Sequence, residues 1–138
     1  MTDFPYRLAA IDIDDTLVGP GKKISRANLE AVRRLTGPLG VRVVLASGRR
    51  HDNMLPYARE LGVNDYLIST GGAVARHTDT GEVLHHATLP VPDAPEIVAA
   101  GLELGATVLY WSADGVFALI DHPVRTIRVM SRRVDTGR

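Results

Sequence analysis

The chain has 138 residues, of which 45% are hydrophobic and 23% are charged, a composition typical of a soluble globular domain. Its 16 basic residues balance its 16 acidic residues, so charge gives no reason to expect nucleic acid or an acidic membrane surface as a partner. The absence of cysteine excludes a disulfide scaffold and a cysteine-based zinc site. No segment resembles a signal peptide, and no apolar run approaches the roughly 20 residues that span a bilayer, so we expect a cytoplasmic protein.

The first predicted element is a buried strand over residues 8–12, and it ends in acidic residues. Side chains two apart on an extended backbone point to the same side, so Asp12 and Asp14 are expected to face one spot. Two such carboxylates repel unless a cation or a shared proton intervenes, and hard oxygen ligands suit Mg2+ with phosphate adding further oxygens. A carboxylate beside that metal can attack phosphorus and form an aspartyl-phosphate. The alternative is that Asp14-Asp15-Thr16 is only a polar turn closing the strand.

The elements that follow alternate between helix and strand. Ser25 is typical of a helix N-cap, and Gly37 predicts the end of that helix. Apolar runs predict further strands over residues 41–46 and 66–69. This alternation predicts an α/β fold with a parallel, Rossmann-like sheet and right-handed crossovers.

A second helix is expected between these two later strands. Asp52 is the predicted N-cap, and the helix is expected to run to about residue 61, with Gly62 ending it. Pro56 would then lie in the first turn, where the missing N–H costs little.

Polar residues follow the ends of the second and third strands, as they do the first. The Ser47 hydroxyl and the Gly48 N–H are suited to bind a phosphoryl oxygen, although the alternative is a plain turn. Thr70-Gly71-Gly72 follows the third strand. Ligands of parallel sheets bind beyond the carboxyl ends of the strands, so one edge is expected to collect all of these residues.

The pattern changes after the third strand. A hairpin is predicted over residues 73–88, and prolines then mark a boundary. Asp93 is the predicted cap of a helix through residue 104, and strands are predicted over residues 107–112 and 116–121, with one more over residues 126–130. We therefore expect a first domain over residues 1–88 and a distinct α+β part over residues 89–138.

Three segments of the sequence resemble one enzyme family. D-x-D-D-T-L, from Asp12 to Leu17, resembles the first motif of the haloacid dehalogenase-like (HAD) phosphatases, D-x-D-G-T-L, and residues 43–49 resemble the second, in which Ser or Thr ends an apolar strand. Residues 68–73 are similar to the I-x-x-N-G-A segment of members with a type-2 cap. Little room for a cap lies between the first two motifs, and a cap in the later position is a feature of the Cof-type phosphatases.

The resemblance implies a Rossmann-like, parallel, three-layer HAD core, incomplete here, followed by the start of an α+β cap. It implies that Asp12 is the nucleophile and Asp14 the general acid and base, with Mg2+ held by Asp12 and the backbone carbonyl of Asp14. Asp15 departs from the usual Gly. Residues that the resemblance places around the phosphate are Thr16, Ser47 and Gly48, and possible substrate contacts are Arg49, Gly71 and Gly72. The alternative for Arg49 is a solvated charge at a helix entry.

Two parts of a HAD site have no counterpart in the sequence. The lysines are Lys22 and Lys23, so no lysine lies late in the chain, and no G-D-x-x-N-D motif follows Asp121. Both parts supply charge stabilisation for phosphoryl transfer. We therefore expect a truncated chain whose first strand is an exposed sheet edge, covered by a second copy or another chain.

Two functions remain open from the sequence. The first is a Mg2+-dependent phosphatase of small phosphorylated metabolites, such as a sugar phosphate, acting through an aspartyl-phosphate. The second is a catalytically inactive HAD-like module that binds or interacts. A nucleotide-binding Rossmann domain is disfavoured because no G-x-G-x-x-G follows the first strand.

Overall fold

A computed structural model describes residues 4–106, 108–112 and 115–119. The chain divides into two compact units, Met1–Thr88 and Leu89–Arg138. The assignment of these units as a core and a cap stays a prediction.

The first unit is built on one five-stranded sheet, in which the strands follow chain order from β1 to β5. Neighbouring strands β1, β2 and β3 are parallel, whereas β4 and β5 add to the sheet as an antiparallel hairpin. The predicted α/β class and the three predicted parallel strands are confirmed. The strands are β1 (Leu8–Asp12), β2 (Arg42–Ala46), β3 (Tyr66–Ser69), β4 (Val74–His77) and β5 (Val83–His86).

Helix α1 (Arg26–Thr36) connects β1 to β2 and begins where the sequence predicts. The Ser25 side chain accepts a hydrogen bond of 3.1 Å from the Asn28 N–H, which satisfies one of the free donors of the first turn. Val32 on the inner face is buried, and the Gly37 N–H bonds to a carbonyl of the last turn. The helix therefore presents an apolar stripe to the sheet.

Helix α2 (His51–Leu61) corrects two predictions. Asp52 is not the N-cap, because Arg50 occupies that position and Asp52 lies in the first turn, where its charge still favours the helix dipole. Pro56 is not in the first turn but inside the helix, where it lacks the N–H that would bond to the Asp52 carbonyl. Gly62 ends the helix in the left-handed conformation, at φ 71°.

The core of this unit lies between the sheet and the two helices. The fully buried residues come from the loop after β1, from β2, from α2 and from β3; they are Ile13, Leu45, Met54 and Leu67. Since α1 and α2 contact each other as well as the sheet, both cover the same face.

Strand β1 lies at one edge of the sheet. Within the described residues it pairs with β2 alone, and Leu8 at its start is 55% exposed. An edge strand at this position agrees with the sequence, and its coverage by another chain stays a prediction.

The second unit contains helix α3 (Asp93–Glu103) and an antiparallel hairpin, β6 (Val108–Ser112) and β7 (Gly115–Leu119). The α+β pattern agrees with the sequence in the described part, although Pro92, not Asp93, occupies the cap position of α3. The strand predicted over residues 126–130 lies outside the described residues. No helix in the described ranges is long and apolar enough to cross a membrane.

Candidate active site

Three loops meet at the carboxyl edge of the parallel strands. The Thr70 N–H donates to the Arg49 carbonyl at 2.8 Å, and the Gly71 N–H donates to the Ser47 carbonyl at 3.2 Å, so the loops after β2 and β3 are joined through the backbone. The Arg49 side chain then reaches Asp14 in the loop after β1. The residues that the sequence assigns to one sheet edge are thus brought together.

The loop after β1 is a closed turn with an apolar interior. The Ile13 carbonyl accepts from the N–H groups of Leu17 and Val18 at 3.0 and 2.9 Å, and the side chains of all three residues are buried. The Asn28 side chain in α1 donates to the Leu17 carbonyl at 2.9 Å. The buried side chains of the loop and the hydrogen bond from Asn28 together hold the acidic residues of the loop at the surface.

Asp15 adopts a positive φ of 58° in this loop. Glycine enters the left-handed region without steric cost, and aspartate is among the few other residues that tolerate it. The conformation gives a physical reason for the Gly of the D-x-D-G-T-L motif and for its replacement by Asp15 here.

Asp12 is the last residue of β1 and is exposed at the edge. Its Oδ2 atom accepts a hydrogen bond of 3.2 Å from the Thr16 hydroxyl. Thr16 therefore orients the carboxylate of Asp12, and its predicted place beside the phosphate stays a prediction.

Asp14 forms a bidentate ion pair with Arg49. Arg49 Nε lies 2.7 Å from Asp14 Oδ2, and Nη2 lies 2.6 Å from Oδ1. The carboxylate side chain is 50% exposed, whereas that of Arg49 is only 22% exposed. The hydrogen bonds from Arg49 lower the pKa of Asp14, with smaller contributions from the charges of Arg49 and Lys22, so Asp14 is ionised in this arrangement.

Ser47 and Gly48 follow β2 at the same edge. Ser47 is 8% exposed, and its Oγ accepts from the Arg49 N–H at 3.2 Å, which leaves the hydroxyl hydrogen free to donate to a ligand oxygen. Gly48 is exposed, and a Cβ added there would meet nothing within 4 Å. Open space above this backbone suits the close approach of a phosphoryl group.

The loop after β3 is conformationally unusual. Gly71 and Gly72 have φ values of 65° and 100°, and Thr70 has a φ of 55°, which is rare for a β-branched residue. Asn in place of Gly71, as in the I-x-x-N-G-A segment, is also tolerant of this region. Both glycines are exposed, and Gly71 is bonded to the Ser47 carbonyl. Their contact with substrate stays a prediction.

Two residues of the site were missed by the sequence reasoning. The Tyr57 ring in α2 lies under the Arg49 guanidinium, with 5.1 Å from Cζ to the ring centroid. The Asn28 side chain supports the loop after β1 through its hydrogen bond to the Leu17 carbonyl. Tyr57 and Asn28 both look like ordinary helix positions in the sequence, and their partners are set only by how α1 and α2 pack.

The oxygen atoms at the edge fit a magnesium ion in part. Within the described ranges no group of three or more His, Cys, Asp and Glu side chains is placed to hold a metal. Mg2+ is commonly held by one or two carboxylates, with water and substrate phosphate completing the octahedron. The exposed Asp12 carboxylate and the backbone carbonyl of Asp14 are compatible with that type of site.

Comparisons with known proteins agree with the geometry. The model of the haloacid dehalogenase-like hydrolase family matches residues 9–135. Phosphatase YwpJ of Bacillus subtilis is 33% identical over 93 residues, covering 67% of this chain and 32% of that protein. The HMP-PP phosphatase of Serratia proteamaculans is 34% identical over 110 residues, covering 80% of this chain and 39% of that protein.

A solved structure gives the same result for the fold. A haloacid dehalogenase-like hydrolase from B. subtilis superposes with a TM-score of 0.71 at 26% identity, covering 84% of this chain and 40% of that chain. The present chain therefore spans less than half the length of each of these three proteins. The predicted resemblance to Cof-type phosphatases and the predicted HAD core fold are confirmed.

Proposed function

The chain belongs to the haloacid dehalogenase-like hydrolases, and we propose that its site removes a phosphoryl group from a small phosphorylated metabolite through an intermediate on Asp12. The observation that carries this proposal is the Asp12 carboxylate, exposed at the end of β1 and held there by the Thr16 hydroxyl. A carboxylate fixed at the carboxyl edge of a parallel sheet is positioned to act as a nucleophile.

The reaction has two steps. In the first, an Asp12 oxygen attacks phosphorus, the bond from phosphorus to the ester oxygen breaks, and Asp14 in its protonated form gives its proton to the leaving alcohol. In the second, Asp14 takes a proton from water as that water attacks phosphorus, which frees inorganic phosphate and restores the Asp12 carboxylate. The pair with Arg49 keeps Asp14 ionised, so Asp14 has to leave Arg49 before it carries a proton.

Residues from the loop after β2 would surround the phosphoryl group. The free hydroxyl hydrogen of Ser47 and the N–H of Gly48 are suited to donate to its oxygens, and Arg49 supplies positive charge. Asp12 and the Asp14 carbonyl would hold Mg2+, which when bound supplies charge beside the same oxygens.

The substrate class is proposed from the site and from the relatives together. The Serratia relative is named for HMP-PP, and the Bacillus relative is named only as a phosphatase. We propose a small phosphorylated metabolite, such as a sugar phosphate, met in the cytoplasm.

A non-catalytic binding module is the second candidate. The sequence contains no lysine beyond Lys23, and the described residues supply few carboxylates near the site. Under this second proposal, the chain would bind phosphate without turning a phosphate ester over.

Turnover separates the two candidates. The 138-residue chain is assayed on p-nitrophenyl phosphate with and without Mg2+, beside Asp12→Asn and the matched control Asp15→Asn. We expect Mg2+-dependent turnover that falls at least about a thousandfold in Asp12→Asn, since the nucleophile is lost, and that stays within a few-fold in Asp15→Asn. Turnover that is equal in the wild type and Asp12→Asn would overturn the proposal. No turnover in any variant would favour the binding module.

A further inference from the structure

Arg49 is more firmly placed than any other charged side chain at this edge. Its N–H donates to Ser47 Oγ at 3.2 Å, and its carbonyl accepts from the Thr70 N–H at 2.8 Å, so the backbone is held from two loops. Its guanidinium lies against the Tyr57 ring and is 22% exposed. A cation with so little side-chain freedom is suited to recognise an anion at a fixed place.

The anion-binding fork of Arg49 is already filled. Nε and Nη2 point at the two carboxylate oxygens of Asp14 in parallel bonds, which is the geometry that guanidinium also offers to two phosphate oxygens. A phosphoryl group that bound this Nε–Nη2 edge would compete with Asp14 for the same two donors.

Asp14 is the more exposed partner of the pair. Its side chain is 50% exposed, and in the described ranges Arg49 is its one side-chain hydrogen-bond partner. Because half of the Asp14 side chain faces solvent, water can take over its hydrogen bonds when the carboxylate leaves Arg49. A phosphate dianion carries more charge than one carboxylate and can displace it.

We propose that Asp14 is an internal competitor for phosphate at Arg49, and that a phosphoryl group entering the site exchanges with the Asp14 carboxylate on a guanidinium held in place by Tyr57. This inference rests on the proposed function, since it assumes that the phosphoryl group lies beside Asp12. The exchange would free Asp14 only when a phosphoryl group is present. Tyr57 acts here as a positioning residue.

Affinity for inorganic phosphate tests the exchange. Calorimetric titrations are run without divalent cations on the wild type, Asp14→Asn, Asp15→Asn, Arg49→Gln and the double variant Asp14→Asn/Arg49→Gln. Asp15→Asn is the matched control, because it removes a neighbouring negative charge without freeing Arg49, and Asn tolerates the positive φ of that position.

We expect Asp14→Asn to bind phosphate about fivefold more tightly than Asp15→Asn, the gain that corresponds to losing a half-exposed competing carboxylate. The gain in affinity should vanish in the Arg49→Gln background, because the exchange needs Arg49. A gain that came only from reduced charge repulsion would persist there. The side-chain Nε–H resonance of Arg49 should shift on phosphate addition in the wild type, and Tyr57→Phe should keep this shift whereas Tyr57→Leu should weaken it.

Two results would overturn the inference. Equal and measurable phosphate affinities in Asp14→Asn and Asp15→Asn would reject the exchange and leave the proposed phosphate site standing. The absence of phosphate binding in every variant, with no shift of the Arg49 resonance, would reject the exchange and the phosphate site together.

Discussion

The two ends of the sheet each carry a bidentate arginine–aspartate pair, and the two pairs are built in opposite ways. At the amino end, Arg42 pairs with Asp65 through two bonds of 2.9 Å, and the carboxylate is 15% exposed while the arginine is 68% exposed. At the carboxyl end the aspartate is the exposed partner and the arginine is the buried one. Asp65 also accepts from the Tyr66 N–H at 2.8 Å, so its pair supports the backbone. Within the described residues, no backbone N–H donates to the Asp14 carboxylate, so Asp14 can change partner without loss of backbone support.

The two ends of the sheet also differ in which residue types adopt a positive φ. Turns near the amino end place glycine at positive φ, as at Gly40 and Gly62, where glycine carries no steric cost. At the carboxyl end, Gly71 and Gly72 also have positive φ, but Asp15 and Thr70 adopt the left-handed region without being glycine. Strained positions of this kind cluster at functional sites, which supports the proposed site at the carboxyl edge on grounds independent of any motif.

The largest expected difference in stability is between the two aspartates. Asp65→Ala should lower the free energy of unfolding by about 2 kcal/mol, because a shielded carboxylate with three hydrogen bonds is lost. Asp14→Ala should lower it by less than about 1 kcal/mol, because that carboxylate is half exposed. Urea denaturation measures both, and equal losses would remove the distinction between a structural pair and an exchangeable one.

Backbone substitutions should act in opposite directions at the two ends. Gly62→Ala should lower the free energy of unfolding by about 1 kcal/mol, because alanine resists a φ of 71°. An added Cβ meets nothing within 4 Å, so no clash increases this cost. Thr70→Asn should stabilise by about 0.5 kcal/mol, because asparagine enters the left-handed region more readily than a β-branched residue. Thermal unfolding of the two variants checks the signs, and a destabilised Thr70→Asn would count against backbone strain at Thr70.

The smallest expected effect is a pH dependence at the carboxyl end. His51 begins α2, and its Nδ1 is buried without a partner in the described part of the chain. Burial lowers the pKa of His51 below its ordinary value of 6.5, and the charge of Arg76 on β4 lowers it further, against a smaller opposing effect of Asp52. The unfolded chain therefore takes up the proton first as the pH falls below 6.5, so the free energy of unfolding should decrease there.

The control for this effect is His51→Gln, which cannot titrate. Unfolding by urea at pH 7 and pH 5 should show a larger loss for the wild type than for His51→Gln. A wild type that loses no more than the variant would exclude His51 as a source of the pH dependence.

The sequence predicted those features that depend on local pattern and on general rules of α/β sheets. Apolar runs placed β1, β2 and β3, the Ser25 cap placed α1, and the rule for parallel strands placed Asp12, Ser47 and Gly71 at one edge. These inferences succeed because hydrophobic periodicity and capping act over a few residues.

The features that it did not predict depend on contacts across the fold. The bond between Arg49 and Asp14 joins residues 35 apart, and the support from Tyr57 depends on how α2 lies over the loops. Pro56 was misplaced because local rules put a proline in the first turn of a helix, where no hydrogen bond is lost. In the structure it lies inside α2, which tolerates the missing hydrogen bond. The roles of the site residues stay predictions.

The central claim, that Asp12 receives the phosphoryl group, is tested most directly by the intact mass of the protein. The wild type, Asp12→Asn, Asp14→Asn and Asp15→Asn are mixed with acetyl phosphate and Mg2+ and quenched in acid, and their masses are measured both intact and after digestion with pepsin. We predict a mass gain of one phosphoryl group on the peptide that contains Asp12, most abundant in Asp14→Asn because water activation is lost there, and absent in Asp12→Asn. A gain that persists in Asp12→Asn, or that maps to another segment, would contradict the account.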